Sequence, residues 1–220
     1  MSFVTDDPHA TGAVLRMGVP MNEAAGAVIL LHGRGGSARD ILSLAPLLGD
    51  RKLAFLAPQA AGSTWYPESF LAPRESNEPR LGSALRKIES VLASVIAAGV
   101  PQERIVLGGF SQGACLTSEF AALHPGRYAG LLAFTGGLIG PLGSDLQADL
   151  PPGDFAGTPV LLASGDPDPH VPWERVEETA RILAERNARV DLRHYPGRPH
   201  IVSQAEIGLA RGLIEAAFPE

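Results

Sequence analysis

Cysteine is nearly absent from this sequence, because Cys115 is the only one among 220 residues. A lone thiol cannot form an internal disulfide, which agrees with a reducing compartment, and we expect a cytoplasmic protein. We interpret Cys115 itself as a small buried core residue.

Long apolar runs are also missing, and stretches such as residues 27–31 are far too short to cross a bilayer. Residues 1–11 contain no positive segment followed by an apolar core, so we expect no signal peptide. Lys and Arg number 18 against 24 Asp and Glu, a formal net charge of -6. Because no basic run is interleaved with aromatics either, we expect no nucleic-acid partner.

Clusters of histidine and carboxylate with metal-ligand spacing are absent as well, and we expect neither a metal nor another cofactor. What the sequence does contain is a substantial apolar fraction, with 45% hydrophobic and 19% charged residues. This balance predicts one globular domain over residues 1–220 with a sizeable core. It leaves the oligomeric state open.

Buried-strand and amphipathic-helix patterns alternate along the chain. Five consecutive apolar residues at 27–31 indicate a strand buried on both faces, as in a parallel sheet. The apolar spacing over 80–98 indicates a helix. We therefore predict an α/β fold with a mostly parallel central sheet and helices on both faces. The predicted strands are 13–17, 27–31, 53–57, 105–107, 131–134, 160–163 and 190–195, and the predicted helices are 37–48, 80–98, 113–123, 173–185 and 203–217.

Two long segments, residues 60–79 and 137–157, do not fit this alternation. Loops of such length in a compact domain are usually functional or disordered. The sequence leaves open whether residues 60–79 move as a lid.

A glycine-x-serine-x-glycine motif, G-F-S-Q-G, joins the strand at 105–107 to the helix that follows. Ser111 stands where the strand must turn sharply into the helix. Gly109 and Gly113 leave room for that turn, as in a nucleophile elbow. The motif alone is weak, so the other groups that a serine nucleophile needs must support it.

A catalytic Ser111 requires a base, and histidine is the usual choice. His200 follows the last strand on a loop before a helix, and we favour it over His170. The acid is expected between serine and histidine in the chain, where S-G-D-P-D-P-H-V-P offers Asp166 and Asp168. We favour Asp168, and interpret Asp166 as part of an acidic, solvated turn.

The remaining histidines have other interpretations. We expect His9 in a frayed terminus, His124 at the end of the elbow helix, and His194 within a strand. His32 follows a strand before a glycine-rich loop, which suggests a structural hydrogen-bonding role.

Four motifs together resemble the phospholipase/carboxylesterase family of α/β hydrolases, which includes the acyl-protein thioesterases. They are G-F-S-Q-G at Gly109–Gly113, G-x-x-D-x-x-V-P at Gly165–Pro172, L-H-G-x-G at Leu31–Gly35 and G-x-x-H at Gly197–His200. The resemblance extends over residues 28–218, and it implies an α/β-hydrolase fold.

By matching positions, the resemblance implies a triad of Ser111, Asp168 and His200, with an oxyanion hole formed by the backbone N–H groups of Arg34 and Gln112. It implies a serine hydrolase that cleaves small carboxylic esters or thioesters through an acyl-enzyme. The alternatives are a lysophospholipase or other acyl hydrolase on the same fold, and a non-catalytic binding protein that keeps the fold.

The sequence departs from the family pattern near the expected pocket. Arg34 stands where many acyl-protein thioesterases have an apolar residue, and Gly36 where they have an Asp. Pro67 replaces the acid of a Trp-aromatic-Asp segment. The Arg34 side chain either attracts an anionic substrate group or is simply solvated. Trp65 and Tyr66 either line an acyl pocket or anchor the long loop to the core, and we favour the first role.

Overall fold

The computed structural model describes residues 7–49 and 51–219, and seven strands within these ranges form one sheet. The order across the sheet places the first strand at one edge, antiparallel to its neighbour, and every other pair is parallel. The predicted mostly parallel α/β fold is confirmed. In chain order the strands are β1 (Val14–Gly18), β2 (Gly26–Leu31), β3 (Leu53–Pro58), β4 (Ile105–Phe110), β5 (Gly130–Phe134), β6 (Pro159–Asp166) and β7 (Arg189–Pro196), and they lie in the order β1-β3-β2-β4-β5-β6-β7.

Five α-helices in the same described ranges cover the two faces of the sheet. Side chains of β2 alternate between two cores: Ile29 and Leu31 belong to one, and Val28 and Leu30 to the other. Burial on both faces explains why this strand is apolar throughout. The helices are α1 (Ala38–Leu42), α2 (Arg80–Ala97), α3 (Gln112–Leu123), α4 (Trp173–Glu185) and α5 (Gln204–Ala217); α2, α3 and α4 pack in the first core, α1 and α5 in the second.

The predicted helix over 37–48 is shorter than expected. Ser37 caps its start as predicted, with its Oγ accepting from the Asp40 N–H at 3.2 Å. However, α1 ends at Leu42, and a separate 3-10 turn follows at Ala45–Leu47. Pro46 explains the break, because it lacks an N–H and its ring would clash with the carbonyl four residues earlier.

The two long segments are held against the core by polar contacts. In residues 137–157 the structure has turns but neither helix nor strand. The buried guanidinium of Arg175, from α4, donates to the carbonyls of Leu138, Gly140 and Pro141 at 2.7 to 2.8 Å. Residues 60–79 contain two 3-10 turns and wall the cavity described below.

The expectation of no signal peptide concerns residues 1–11, of which 1–6 lie outside the described residues. Across the described ranges, none of the helices combines the length and apolar character needed to span a bilayer.

Candidate active site

Ser111 occupies a strained bend between β4 and α3. Its backbone has φ of 55° and ψ of -118°, a conformation that residues other than glycine rarely adopt. The neighbouring glycines permit close packing at this bend: a Cβ on Gly113 would lie 2.1 Å from the carbonyl oxygen of Leu31, and one on Gly109 would lie 2.4 Å from Gly113. The bend therefore has the form of the predicted nucleophile elbow.

Three of the predicted residues meet at this bend in a continuous chain of hydrogen bonds. The Ser111 Oγ lies 2.8 Å from the His200 Nε2, and the His200 Nδ1 lies 2.7 Å from the Asp168 Oδ2. A carboxylate can only accept, so Nδ1 donates to Asp168 and Nε2 is left to accept from the serine hydroxyl. The Asp168 side chain is fully buried.

The Asp168 carboxylate is stabilised in its ionised form. Burial alone would raise its pKa, but hydrogen bonds from His200 and from the N–H groups of His170 and Val171 outweigh that effect and lower the pKa. Both N–H groups donate to Oδ1 at 2.9 Å, so Oδ2 is left for the histidine.

Arg198, which sequence reasoning missed, anchors the loop that carries His200. Its Nη2 donates to the Thr135 Oγ1 at 2.7 Å and lies 3.5 Å from a carboxylate oxygen of the buried Glu206 in α5. The only signal in the sequence was an arginine within the G-x-x-H motif. Its partners lie on two other elements, so the sequence alone could not reveal them.

The backbone N–H groups of Arg34 and Gln112, the predicted oxyanion donors, belong to the loop after β2 and to the first position of α3. Neither N–H donates a hydrogen bond to another residue that the structure describes. The first N–H groups of a helix lack intrahelical acceptors, so the Gln112 N–H is available for an anion.

A cavity of about 680 Å³ opens beside Ser111. This volume is typical of small-molecule sites, which are about 300 to 1,000 Å³. Its walls come from the loop that carries Arg34, from the segment that includes Tyr66, and from the loops of Asp168 and His200. The lining includes Arg34, Tyr66, Phe70, Leu71, Phe110, Cys115, His170 and Val171.

Cys115 is buried, as predicted, and it also contributes to the cavity lining. Burial raises the pKa of its thiol to about 12. The thiol is therefore protonated near neutral pH and is a poor nucleophile. No group of three or more histidine, cysteine or acidic residues in the described ranges could hold a metal ion.

Comparison with known proteins identifies the family. A profile of the Phospholipase/Carboxylesterase family matches residues 15–217. The chain belongs to this family. The family and the α/β-hydrolase fold inferred from the four motifs are thereby confirmed, as is the predicted enzyme class, a carboxylesterase or thioesterase-type hydrolase.

Relatives of the family cover most of the chain. A protein of Oryza sativa subsp. japonica named probable carboxylesterase is 31% identical over 199 residues, which are 82% of this chain and 73% of that protein. An acyl-protein thioesterase 1 of Eremothecium gossypii is 28% identical, and the match covers 93% of each chain. The crystal structure of a phospholipase/carboxylesterase from Dyadobacter fermentans DSM 18053 is 46% identical, covers 93% of this chain and 96% of that one, and has a TM-score of 0.88. Matches to three further curated relatives span 49% to 60% of those proteins.

Arg34 and Pro67, two of the positions that depart from the family pattern, contact each other. The exposed Arg34 donates from Nη1 to the Pro67 carbonyl and from Nη2 to the Glu68 carbonyl, both at 2.6 Å. The guanidinium is therefore bound to the chain, whereas the sequence left open only an anion-binding or a solvated side chain.

The adjacent aromatics have different positions. Tyr66 lines the cavity, whereas Trp65 is not among the residues that line it. Trp65 is fully buried, and its indole N–H donates to the His32 carbonyl at 2.9 Å. Trp65 thus anchors the long segment, which was the less favoured of its two predicted roles.

The interpretation of His9 as part of a frayed terminus is wrong. Its ring is fully buried, with Nε2 2.8 Å from the Trp65 carbonyl and Nδ1 accepting from the Ala61 N–H at 3.0 Å. The sequence carried no signal for these contacts, because the partners lie more than fifty residues away. His32 has the structural role inferred for it, since its Nε2 accepts from the Ala60 N–H.

The side chains of the alternative acid and base, Asp166 and His170, are not members of the hydrogen-bonded chain. Asp166 contacts His194 at 3.1 Å, and both side chains are partly exposed. His170 lines the cavity and meets the ring of His200 edge-on, with centroids 5.0 Å apart.

Proposed function

We propose that this protein is a serine hydrolase that cleaves small carboxylic esters or thioesters through an acyl-enzyme. The single observation that carries the proposal is the hydrogen-bonded chain from Asp168 through His200 to Ser111, beside a cavity of about 680 Å³. Membership of a family whose relatives are named carboxylesterase and acyl-protein thioesterase supports the same reaction class.

Acylation follows from this arrangement. As the Ser111 Oγ attacks the acyl carbon, its proton passes to the His200 Nε2, 2.8 Å away. Asp168 holds the imidazole in the tautomer that leaves Nε2 free to accept, and it stabilises the imidazolium that forms. The imidazolium then gives its proton to the departing alcohol or thiol, and the acyl group remains on the serine.

Deacylation repeats these steps with water. His200 takes a proton from water as the water oxygen attacks the acyl-enzyme, and it returns that proton to the Ser111 Oγ when the carboxylic acid departs. Both tetrahedral intermediates carry a negative oxygen. The N–H groups of Arg34 and Gln112 are the proposed donors to it, each worth on the order of a hundred- to a thousandfold in rate.

The character of the cavity suits a small acyl compound. Apolar side chains, including Phe70, Leu71 and Val171, line it together with Tyr66, for which we propose contact with the substrate. Trp65 supports that wall from the core.

A lysophospholipase would use the same site and is the second candidate. To distinguish the candidates, we measure kcat/KM on lysophosphatidylcholine, short p-nitrophenyl esters and acyl thioesters at matched concentrations. The substrate with the highest kcat/KM indicates the activity. A non-catalytic binding protein has less support, because such a protein has no need for a complete chain of acid, imidazole and hydroxyl.

Replacement of Ser111 with alanine tests the proposal. We expect loss of p-nitrophenyl acetate hydrolysis and of labelling by a fluorophosphonate. Ser118→Ala is the matched control, because this serine lies on the same helix and its hydroxyl donates to the Ala114 carbonyl, away from the hydrogen-bonded chain. Turnover or labelling retained by the Ser111 variant would refute the assignment.

A further inference from the structure

Four consecutive residues, 65–68, each give a backbone group to the side chain of one of the two proposed oxyanion donors. We call these residues the clamped segment. The Arg34 guanidinium binds the last two residues of this segment, donating to the carbonyls of Pro67 and Glu68 at 2.6 Å each.

The Gln112 side chain binds the first two residues of the clamped segment. Its Oε1 accepts from the Trp65 N–H at 2.9 Å, and its Nε2 donates to the Tyr66 carbonyl at 2.8 Å. The Gln112 side chain is buried, so these bonds are shielded from water. Both polar atoms of the amide are therefore used on the same segment that Arg34 holds.

The clamped segment is itself fixed to the rest of the protein. The Trp65 indole donates to the His32 carbonyl at 2.9 Å, and the Trp65 carbonyl lies 2.8 Å from the His9 Nε2. At the other end, the Glu68 N–H donates to the Asn77 Oδ1 at 2.8 Å. A segment held at both ends provides a fixed reference for any group bound to it.

Two contacts within the loop of Arg34 already shape its backbone: the Gly36 N–H donates to the Gly33 carbonyl at 3.1 Å, and that carbonyl lies 2.8 Å from the His32 Nδ1. Arg34 lies among Gly33, Gly35 and Gly36, and Gly35 has a φ of 75°. Glycines allow many backbone conformations, so a donor N–H in this loop needs an external restraint to keep one direction. The Arg34 side chain supplies one restraint, and the Gly35 N–H, donating to the Ser63 carbonyl at 2.8 Å, supplies another.

We infer that the side chains of Arg34 and Gln112 are positioning groups. By binding the same clamped segment, they fix the direction of the two proposed oxyanion N–H groups relative to each other. The inference rests on the proposed function. An oxyanion hole stabilises charge only when its donors are already aimed at the position that the oxygen will occupy. Loosening either side chain should weaken binding of the transition state more than binding of the substrate.

The test compares Arg34→Ala, Arg34→Lys and Gln112→Ala with the wild type. For each we measure kcat and KM on p-nitrophenyl butyrate, Tm, and the Ki of an alkyl trifluoromethyl ketone, whose adduct with Ser111 carries an oxyanion. Arg80→Ala is the matched control. Its Nη2 donates to the carbonyls of Ala61 and Thr64, just before the clamped segment, and it contacts neither donor residue.

We expect kcat to fall roughly 10- to 100-fold in Gln112→Ala and roughly 3- to 10-fold in Arg34→Ala, with the ketone Ki rising in parallel and KM changing less than about threefold. Arg34→Lys should recover part of the loss, because an ammonium can still reach a carbonyl. Arg80→Ala should lower Tm while kcat and the ketone Ki stay within about twofold of wild type.

The anion-binding role of Arg34 gives a different result. If the guanidinium attracts acidic substrates, Arg34→Ala should lose activity on p-nitrophenyl hemisuccinate but not on the neutral butyrate. Equal losses on both esters support the positioning role, and a loss confined to the anionic ester overturns it.

Failure of this inference can be distinguished from failure of the proposed function. If Ser111→Ala is inactive while the Arg34 and Gln112 variants keep the wild-type kcat, the positioning role alone is overturned. A fall in kcat without a rise in the ketone Ki, or an equal fall in Arg80→Ala, also overturns it. If Gln112→Ala does not fold, the exposed Arg34 variants decide the question.

Discussion

Replacing Asp168 with asparagine changes one atom of the candidate triad while keeping its size. The Asp168 Oδ1 accepts two backbone N–H groups at 2.9 Å, so an asparagine should keep its own oxygen there and turn its amide nitrogen toward His200. That nitrogen is a donor, and it would replace an acceptor 2.7 Å from the His200 Nδ1. The imidazole must then carry its proton on Nε2, facing Ser111, where it can no longer take the serine proton.

The magnitude follows from the loss of the base. The same tautomer change in serine protease triads lowers kcat about 10⁴-fold, which corresponds to about 5.4 kcal/mol at 1.36 kcal/mol for each factor of ten. We expect a similar fall in kcat for p-nitrophenyl acetate, with KM changed less than about threefold because the cavity is untouched.

The neighbouring acid provides the control. Asp166→Asn alters a carboxylate whose partner is His194, outside the hydrogen-bonded chain, and should keep kcat within about twofold. Stopped-flow measurement of the p-nitrophenol burst would locate the defect of the Asp168 variant in acylation. If the Asp168 variant keeps more than about a tenth of the wild-type kcat, or if the Asp166 variant loses as much, the assigned roles are wrong.

Three further predictions concern the fold and the loops. Gly113→Ala should give no stable protein, because its Cβ would lie 2.1 Å from a backbone oxygen; soluble yield and circular dichroism check this. Arg198→Ala should lower kcat roughly tenfold and slow fluorophosphonate labelling, since the His200 loop loses its anchor, whereas an effect on Tm alone would contradict this role. Burial lowers the pKa of His9 and of His32, so the unfolded chain takes up protons that the folded protein does not as the pH falls below about 6.5. Tm should therefore fall between pH 7 and pH 5, and it should fall less steeply in His9→Gln. Equal slopes of Tm against pH in the variant and the wild type would show that His9 does not contribute to this pH dependence.

Local patterns in the sequence were enough to predict the sheet and to select the three residues that the fold joins by hydrogen bonds. The run at β2 is apolar throughout because both its faces are buried, and the elbow glycines are required by contacts with adjacent backbone. Ser111, Asp168 and His200 each follow a strand, and the carboxyl ends of parallel strands meet at one edge of a sheet. The three residues therefore come together because of the sheet topology, and the order of the motifs along the chain is enough to predict this.

Contacts between distant irregular segments could not be predicted in this way. His9 bonds the Trp65 carbonyl across 56 positions, and Arg198 bonds Thr135 across 63. Neither pair has a periodic pattern or a shared motif, because loop geometry alone brings the partners together. The break in the helix at Pro46 is a different case, because the proline is visible in the sequence and its missing N–H is enough to end a helix.

The departures from the family pattern at Arg34 and Pro67 are better explained as a pair than as two separate changes. Taken singly, an arginine at the rim suggests an anionic substrate, and a lost acid suggests an altered pocket. In the fold the arginine donates to the carbonyl of that proline. Proline fixes its own φ at about -65° and restricts the residue before it, so fewer backbone torsions can redirect its carbonyl. The cation and the stiffened backbone thus form one contact, and by our inference it fixes the direction of one donor of the proposed oxyanion hole.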